Sequence, residues 1–185
     1  MICSLNEISA MLRKAAMGSG FPVGLADAIA AAGVWLCAND LDGVAAALDA
    51  VDGGYDPAVR VVREDRTVTF RDARVGRCGV SVFELLAAGS ADRVVVEDPD
   101  SPLLLEGMAG VAGSTFALSN GDGANRVSIE VELSAPSDAQ GARSTAVEVD
   151  AQAWAAAGEL AARVYVPATE ESRLSGAGAG LTDND

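Results

Sequence analysis

The chain has 185 residues, of which half are hydrophobic and only 4% aromatic, and its net charge at pH 7 is −14. This length and composition predict a globular protein with one good core, rich in alanine and glycine, and exclude a disordered chain. The acidic surface disfavours nucleic acid or an anionic membrane as a partner, because both present phosphate groups that negative charge repels.

The sequence contains no histidine, which excludes several classes of site. Ser-His-Asp and Cys-His nucleophiles and histidine-ligated zinc all need an imidazole. The three cysteines, Cys3, Cys37 and Cys78, are odd in number and widely spaced, so they predict neither a disulfide framework nor a paired-cysteine metal site. Any catalysis would use carboxylates, arginine, the single lysine, cysteine, tyrosine or a cofactor.

Capping residues and periodicity predict a helix at each end of the first 54 residues. Ser4 and Glu7 have the spacing of a capping box, so residues 2–4 lead straight into the first helix. Another helix begins near Asp40 and ends at Gly53, with apolar residues at helical spacing between them.

The central helix of this unit is predicted over residues 22–37. Its residues are apolar or small on nearly every face, so it must be covered on all sides. The run is shorter than the roughly 20 residues that span a bilayer, which favours a buried helix of a globular domain. Pro22 suits its first position, and Trp35 is its largest side chain.

After this unit the pattern changes to alternating β-branched residues. Residues 59–63 and 67–71 predict a β-hairpin, and residues 93–97 predict a further strand. Residues 76–79 contain two glycines and are predicted as a turn or loop. Residues 80–88 predict a short helix, although their first half would also suit a strand.

The last part of the chain combines a hairpin, a strand and a helix. Residues 103–112 fit either a strand or a helix, because three leucines favour the first while glycines weaken the second. Asp150 is positioned to cap the last helix. Residues 115–119 and 126–133 predict a hairpin, residues 146–149 predict a strand, and residues 151–162 predict the helix.

These elements predict an α+β fold, with an N-terminal three-helix unit packed on a mostly antiparallel sheet and one or two further helices. We expect a single domain over residues 1–185. Within it, residues 1–54 form the helical subregion, residues 55–166 the sheet-rich body, and residues 167–185 a glycine-rich acidic tail.

Arginine is concentrated at one place in this acidic chain. Arg71, Arg74 and Arg77 follow the second hairpin strand closely and could receive a carboxylate or a phosphate group. The alternative is that arginines at a hairpin edge only solvate it.

The C-terminal tail is a second candidate site. Alternating glycines allow backbone N–H groups to approach an anion, and carboxylates that follow them suit a hard cation. The alternative is a flexible acidic end. The candidate ligand-binding residues are Glu170, Glu171, Ser172, Arg173, Gly176, Gly178 and Gly180, and the candidate metal ligands are Asp183 and Asp185.

The chain resembles a bacterial family known as domain of unknown function 3726. The resemblance is carried by Ser4 to Ile8 with Arg13, by Gly24 to Asp27, by Trp35, and by the closing pattern from Thr169 to Asp185. It would cover the whole chain and implies a single-domain cytosolic bacterial protein, but it supplies no activity. It also favours the tail as part of a family signature.

Two functional hypotheses follow. The first is a non-catalytic accessory domain of the cytoplasm that binds a metabolite or a protein partner, as a homodimer, without nucleic acid or membrane. The alternative is a histidine-free, metal-assisted enzyme, in which the tail carboxylates hold a divalent cation such as Mg²⁺ and the glycine-rich loop binds an anion. A redox role for Cys78, which has Arg77 beside it, is the least favoured.

Overall fold

The computed structural model describes residues 1–113, 116–120, 128–133 and 146–165, which contain six helices and seven strands. The helices are α1 (Leu5–Gly18), α2 (Val23–Ala38), α3 (Gly43–Val51), α4 (Val75–Ala87), α5 (Pro102–Ala112) and α6 (Ala151–Ala162). The strands are β1 (Ile2–Ser4), β2 (Arg60–Glu64), β3 (Thr67–Arg71), β4 (Arg93–Glu97), β5 (Phe116–Asn120), β6 (Ser128–Leu133) and β7 (Ala146–Glu148).

The larger sheet has five strands in the order β2-β3-β4-β6-β5. Strands β3 and β4 run parallel and are connected through α4, because a parallel pair needs a crossover. The β2–β3, β4–β6 and β5–β6 pairs are antiparallel. Helices combined with a mostly antiparallel sheet confirm the predicted α+β class.

One face of this sheet packs against α4 and α5. Its buried apolar side chains pair across neighbouring strands in two rows, Val68 with Val94 and Val131, and Phe70 with Val96 and Ile129. The opposite face carries charged side chains, among them Arg93, which forms ion pairs with Glu130 and Glu132. Alternation along the strands therefore separates a core face from a polar face, as predicted.

Helix α2 is the centre of the helical part and contacts α1, α3, α4 and α5, while α6 packs against α1 and α3. The N-terminal helical unit therefore reaches the five-stranded sheet through α4 and α5, and three helices follow it rather than one or two. In the part of the chain that the structure describes, no helix has both the length and the hydrophobicity needed to cross a bilayer.

The helices approach one another closely where glycine faces a neighbouring backbone. A Cβ atom at Gly43 would lie 2.0 Å from the carbonyl oxygen of Gly33, at the crossing of α2 and α3. A Cβ atom at Gly107 of α5 would lie 2.7 Å from the Ala32 carbonyl oxygen of α2. These distances are far below normal contact, so the absence of a side chain sets how α2 packs on both helices.

Local capping predictions are confirmed at both ends of the chain. The Ser4 hydroxyl accepts from the Glu7 N–H at 3.3 Å, and the Glu7 carboxylate accepts from the Ser4 N–H at 2.8 Å. Both bonds of the capping box are therefore present. The Asp150 carboxylate accepts from the Gln152 and Ala153 N–H groups and begins α6 at the predicted residue.

Other local predictions are wrong. Residues 76–79 belong to the first turns of α4 rather than to a loop, because Gly76 meets the Ala50 backbone closely instead of forming a turn. Residues 2–4 do lead straight into α1, but they also form β1, which pairs antiparallel with β7 and which the sequence did not predict. Pro22 is the N-cap residue of α2 rather than its first residue.

The central helix is also less enclosed than predicted. Its second half is buried, but Val23 and Asp27 in its first turns are exposed, and Trp35 is half-buried against Gly110 of α5. Residues 103–112, whose sequence fits either a strand or a helix, form α5, with Pro102 in its first turn.

Candidate functional site

The tail residues predicted to bind a ligand or a metal lie outside the residues that the structure describes. The hypothesis of a tail site therefore stays a prediction. These residues are Glu170, Glu171, Ser172, Arg173, Gly176, Gly178, Gly180, Asp183 and Asp185.

Within the described residues, the parallel strands β3 and β4 provide a candidate position for a site. Ligands of open α/β sheets bind where parallel strands end at their carboxyl side. Asp72 follows β3 with φ = 48°, and Asp98 follows β4 with φ = 46°. Asp40 and Asp65, in turns elsewhere, have the same left-handed conformation, which aspartate tolerates, so this conformation alone does not mark a site.

A pocket of about 320 Å³, which we call the arginine pocket, lies beside the end of β3 and the start of α4. Phe70 and Cys78 contribute buried apolar wall. Four arginines and two aspartates supply its charged lining: Arg60, Arg71, Arg74, Arg77, Asp56 and Asp72. The sequence placed three of these arginines together, whereas Arg60 joins them because the hairpin register sets it opposite Arg71.

Carboxylates lie near three of the four guanidinium groups. Arg60 Nη1 lies 2.6 Å from the Asp72 carboxylate. Arg71 Nε lies 3.4 Å from the Glu97 carboxylate, at the end of β4. Arg74 Nη1 lies 3.9 Å from the Asp100 carboxylate and donates a hydrogen bond to the Asp52 carbonyl oxygen at 3.1 Å.

Arg77 differs from the other three arginines. Only 8% of its surface is exposed, and its Nη1 donates a hydrogen bond of 2.8 Å to the carbonyl oxygen of Asp56. The Asp56 carboxylate itself accepts from the Ala58 N–H. Among the described residues, Arg77 forms no ion pair, so a buried positive charge lines the pocket without a carboxylate partner.

The thiol beside Arg77 is not a reactive group. Burial raises the pKa of Cys78 to about 11, and the nearby Asp100 carboxylate adds to this increase while Arg77 opposes it. The thiolate is the nucleophilic form of cysteine, and at neutral pH it is a minor form here. The structure therefore disfavours the redox role considered for Cys78.

A larger cleft of about 960 Å³ shares Arg74 with the arginine pocket. Its walls come from α3, α6 and the end of α1, and Asp100 contributes its carboxylate. Asp100 Oδ1 accepts from the Val75 N–H at 2.8 Å and so caps α4. Its Oδ2 is buried without a hydrogen-bond partner among the described residues. Sequence reasoning missed Asp100, although an aspartate in the short loop after a predicted strand is the signal that could have found it.

No group of three or more cysteine, aspartate or glutamate side chains within the described ranges could hold a metal ion. The carboxylates in this region are instead engaged with arginines and backbone N–H groups, as at Asp72 and Asp100.

We predict that Asp100→Asn makes the protein more stable at pH 7. Burial raises the pKa of the Asp100 carboxyl above its ordinary value of 3.8, so the folded chain holds this proton more tightly than the unfolded chain. The free energy of unfolding then falls as pH rises from 3.8 through the raised pKa, and the loss persists at neutral pH. The asparagine amide keeps an oxygen for the Val75 N–H.

Urea denaturation at a series of pH values measures this effect. We expect the variant to gain at most about 1 kcal/mol at pH 7, because solvent screens a partly exposed carboxylate. The advantage should shrink as the pH falls toward 3.8. A wild-type protein that gains stability over the variant with rising pH would contradict the prediction.

Fold and pocket together define an α+β protein with a helical N-terminal unit and an arginine-lined pocket between the start of β2, the end of β3 and the start of α4. The family model described as Protein of unknown function (DUF3726) matches residues 3–54 of this chain. The match spans the N-terminal helical unit and confirms the predicted resemblance over these residues. No curated protein and no solved structure matches the chain.

Proposed function

We propose that this protein is a non-catalytic, metabolite-binding domain whose arginine pocket receives the anionic group of a small molecule. The observation that carries the proposal is Arg77, which is buried and has no carboxylate partner in the described part of the chain. Burying a charge is unfavourable unless the charge is paired. A bound anion would supply the missing pair.

A purely structural role for Arg77 accounts for less of the geometry. Its hydrogen bond to the Asp56 carbonyl holds the loop before β2, and a neutral donor could form that bond. The guanidinium has further N–H donors, and it lines a pocket of about 320 Å³. This volume is near the lower end of small-molecule sites, which favours a small ligand or the anionic end of a larger one.

Calorimetric titration with a panel of small organic anions and inorganic phosphate tests the proposal. Arg77→Met should weaken anion binding about tenfold or more, because a hydrogen bond to a charged group contributes roughly 1.5–3 kcal/mol. Arg13→Met is the matched control, since it removes the same charge from an exposed ion pair with Asp27 outside the pocket. Equal binding by both variants, or no binding by the wild type, would refute the proposal.

A homodimer is the proposed assembly. Strand β2 is an edge of the five-stranded sheet, and Val61 within it is half-exposed, which favours pairing with a second copy. Size-exclusion chromatography with light scattering measures the mass. A monomer at every concentration would remove this part of the proposal.

The alternative of a metal-assisted enzyme rests on the sequence of residues 170–185. Calorimetric titration of Mg²⁺ on the full chain and on a chain ending at Pro167 tests it. Identical titrations of the two proteins would discard the tail as a metal site.

A further inference from the structure

We infer that the arginine pocket is specific for a small monocarboxylate with a short apolar body, and this inference rests on the proposed function. The local charge balance, the backbone donors near α4 and the apolar wall of the pocket each favour a carboxylate over a phosphate group.

The local charges favour a ligand with a single negative charge. Arg60, Arg71 and Arg74 each have a carboxylate within 4 Å, whereas Arg77 has none among the residues that the structure describes. A carboxylate ligand would balance that charge. A phosphate monoester carries about −1.5 to −2 at pH 7, and its excess charge would meet Asp56 and Asp72 in the same pocket.

The first backbone donor of α4 is already occupied. Phosphate groups bind the N–H groups at a helix N-terminus. The first N–H of α4, from Val75, donates to the Asp100 carboxylate at 2.8 Å, and the Ala73 N–H before it donates to the Glu97 carbonyl oxygen at 3.1 Å. The pocket wall also contains the planar guanidinium of Arg77, whose fork can bind both oxygens of a carboxylate.

The wall of the pocket suits an apolar body. Phe70 and Cys78 are buried there, and Val59 contributes a half-exposed side chain. Because the pKa of Cys78 is about 11, its thiol adds no negative charge at neutral pH. The pocket volume of about 320 Å³ limits the body to a few carbon atoms.

Calorimetric titration with butyrate, acetate, butyl phosphate and inorganic phosphate tests the inference. We expect butyrate to bind about tenfold more tightly than butyl phosphate, and more tightly than acetate. Arg77→Lys keeps the charge but loses the fork, so it should reduce the affinity for butyrate about tenfold.

A pair of valine substitutions locates the binding without changing a buried residue. Val59 lines the pocket and Val23 does not, while their exposed fractions are 48% and 49%. Val59→Asp should weaken butyrate binding about tenfold, through repulsion of the carboxylate and loss of apolar contact, whereas Val23→Asp should leave it unchanged. Equal effects of the two substitutions would overturn the inference.

The outcomes separate this inference from the proposed function. Tighter binding of butyl phosphate, or equal binding of both probes, would overturn the inference and leave an anion site at Arg77 in place. Binding of neither probe, or binding that Arg77→Met does not weaken, would overturn both. Tighter butyrate binding that depends on Arg77 and Val59 would support both.

Discussion

Replacing Gly43 with alanine is expected to lower the free energy of unfolding by about 3 kcal/mol, at the upper end of the range for overpacked cores. The added Cβ atom would lie 2.0 Å from the Gly33 carbonyl oxygen and 2.9 Å from the Cys37 sulfur. The first of these neighbours is backbone, so a side-chain rotation cannot relieve the contact. Helix α3 would have to move away from α2.

Urea denaturation measures this loss as a lower midpoint with an unchanged slope. Gly158→Ala in the middle of α6 is the matched control, because a Cβ atom there meets nothing within 4 Å. That substitution should raise stability by about 0.5–1 kcal/mol through helix propensity alone. We expect the changes in stability of the two variants to have opposite signs. If both variants gained or both lost stability, the close approach of the two backbones would not be what holds α2 against α3.

The second large effect is expected for Leu36→Ala, which should destabilise the protein by about 2–5 kcal/mol. Leu36 is 0% exposed and packs at the crossing of α2 and α5, beside Gly107. Its truncation leaves a cavity between two helices. Helix α5 cannot close on that cavity, because Gly107 already lies against the Ala32 carbonyl oxygen.

Leu41→Ala supplies the comparison, because Leu41 precedes α3 and is 38% exposed. Its truncation should reduce the free energy of unfolding by less than about 1 kcal/mol. Thermal unfolding followed by circular dichroism distinguishes the two variants. Similar melting temperatures would mean that the α2–α5 contact contributes little to the fold.

The elements that sequence predicted well are those that local interactions define. The capping box of Ser4 and Glu7 and the Asp150 cap both lie within one turn of the helix that they begin. The alternation of apolar and polar residues in β6 predicts a buried face, and Ile129 and Val131 are buried accordingly, whereas Leu133 at the end of the strand is 54% exposed. For such segments, the residues that determine the local structure are close together in the sequence, so the sequence alone predicts it.

Other elements depend on residues that are distant in the chain. Strand β1 has three residues, and its partner β7 lies more than a hundred residues away, so no local pattern predicts it. Gly76 and Gly79 carry the composition of a turn, but here they allow α4 to approach Ala50 and Met108. A glycine that permits close packing and a glycine that forms a turn are indistinguishable until the neighbouring helix is known.

The candidate site likewise has one feature that the local sequence predicts and another that depends on distant residues. The sequence placed Arg71, Arg74 and Arg77 together but could not show which of them lacks a carboxylate partner in the described part of the chain. That difference depends on Glu97 and Asp100, which approach from β4 and the loop after it. The pairing of guanidinium groups is a tertiary property, and it singles out Arg77.

The charged residues of the pocket lie close together along the chain. All six fall between positions 56 and 77, directly after the segment 3–54 that the family model matches. A match to that model therefore reports the helical unit and carries no information about the pocket. We expect a homologue to share the ligand only where an arginine occupies the position of Arg77.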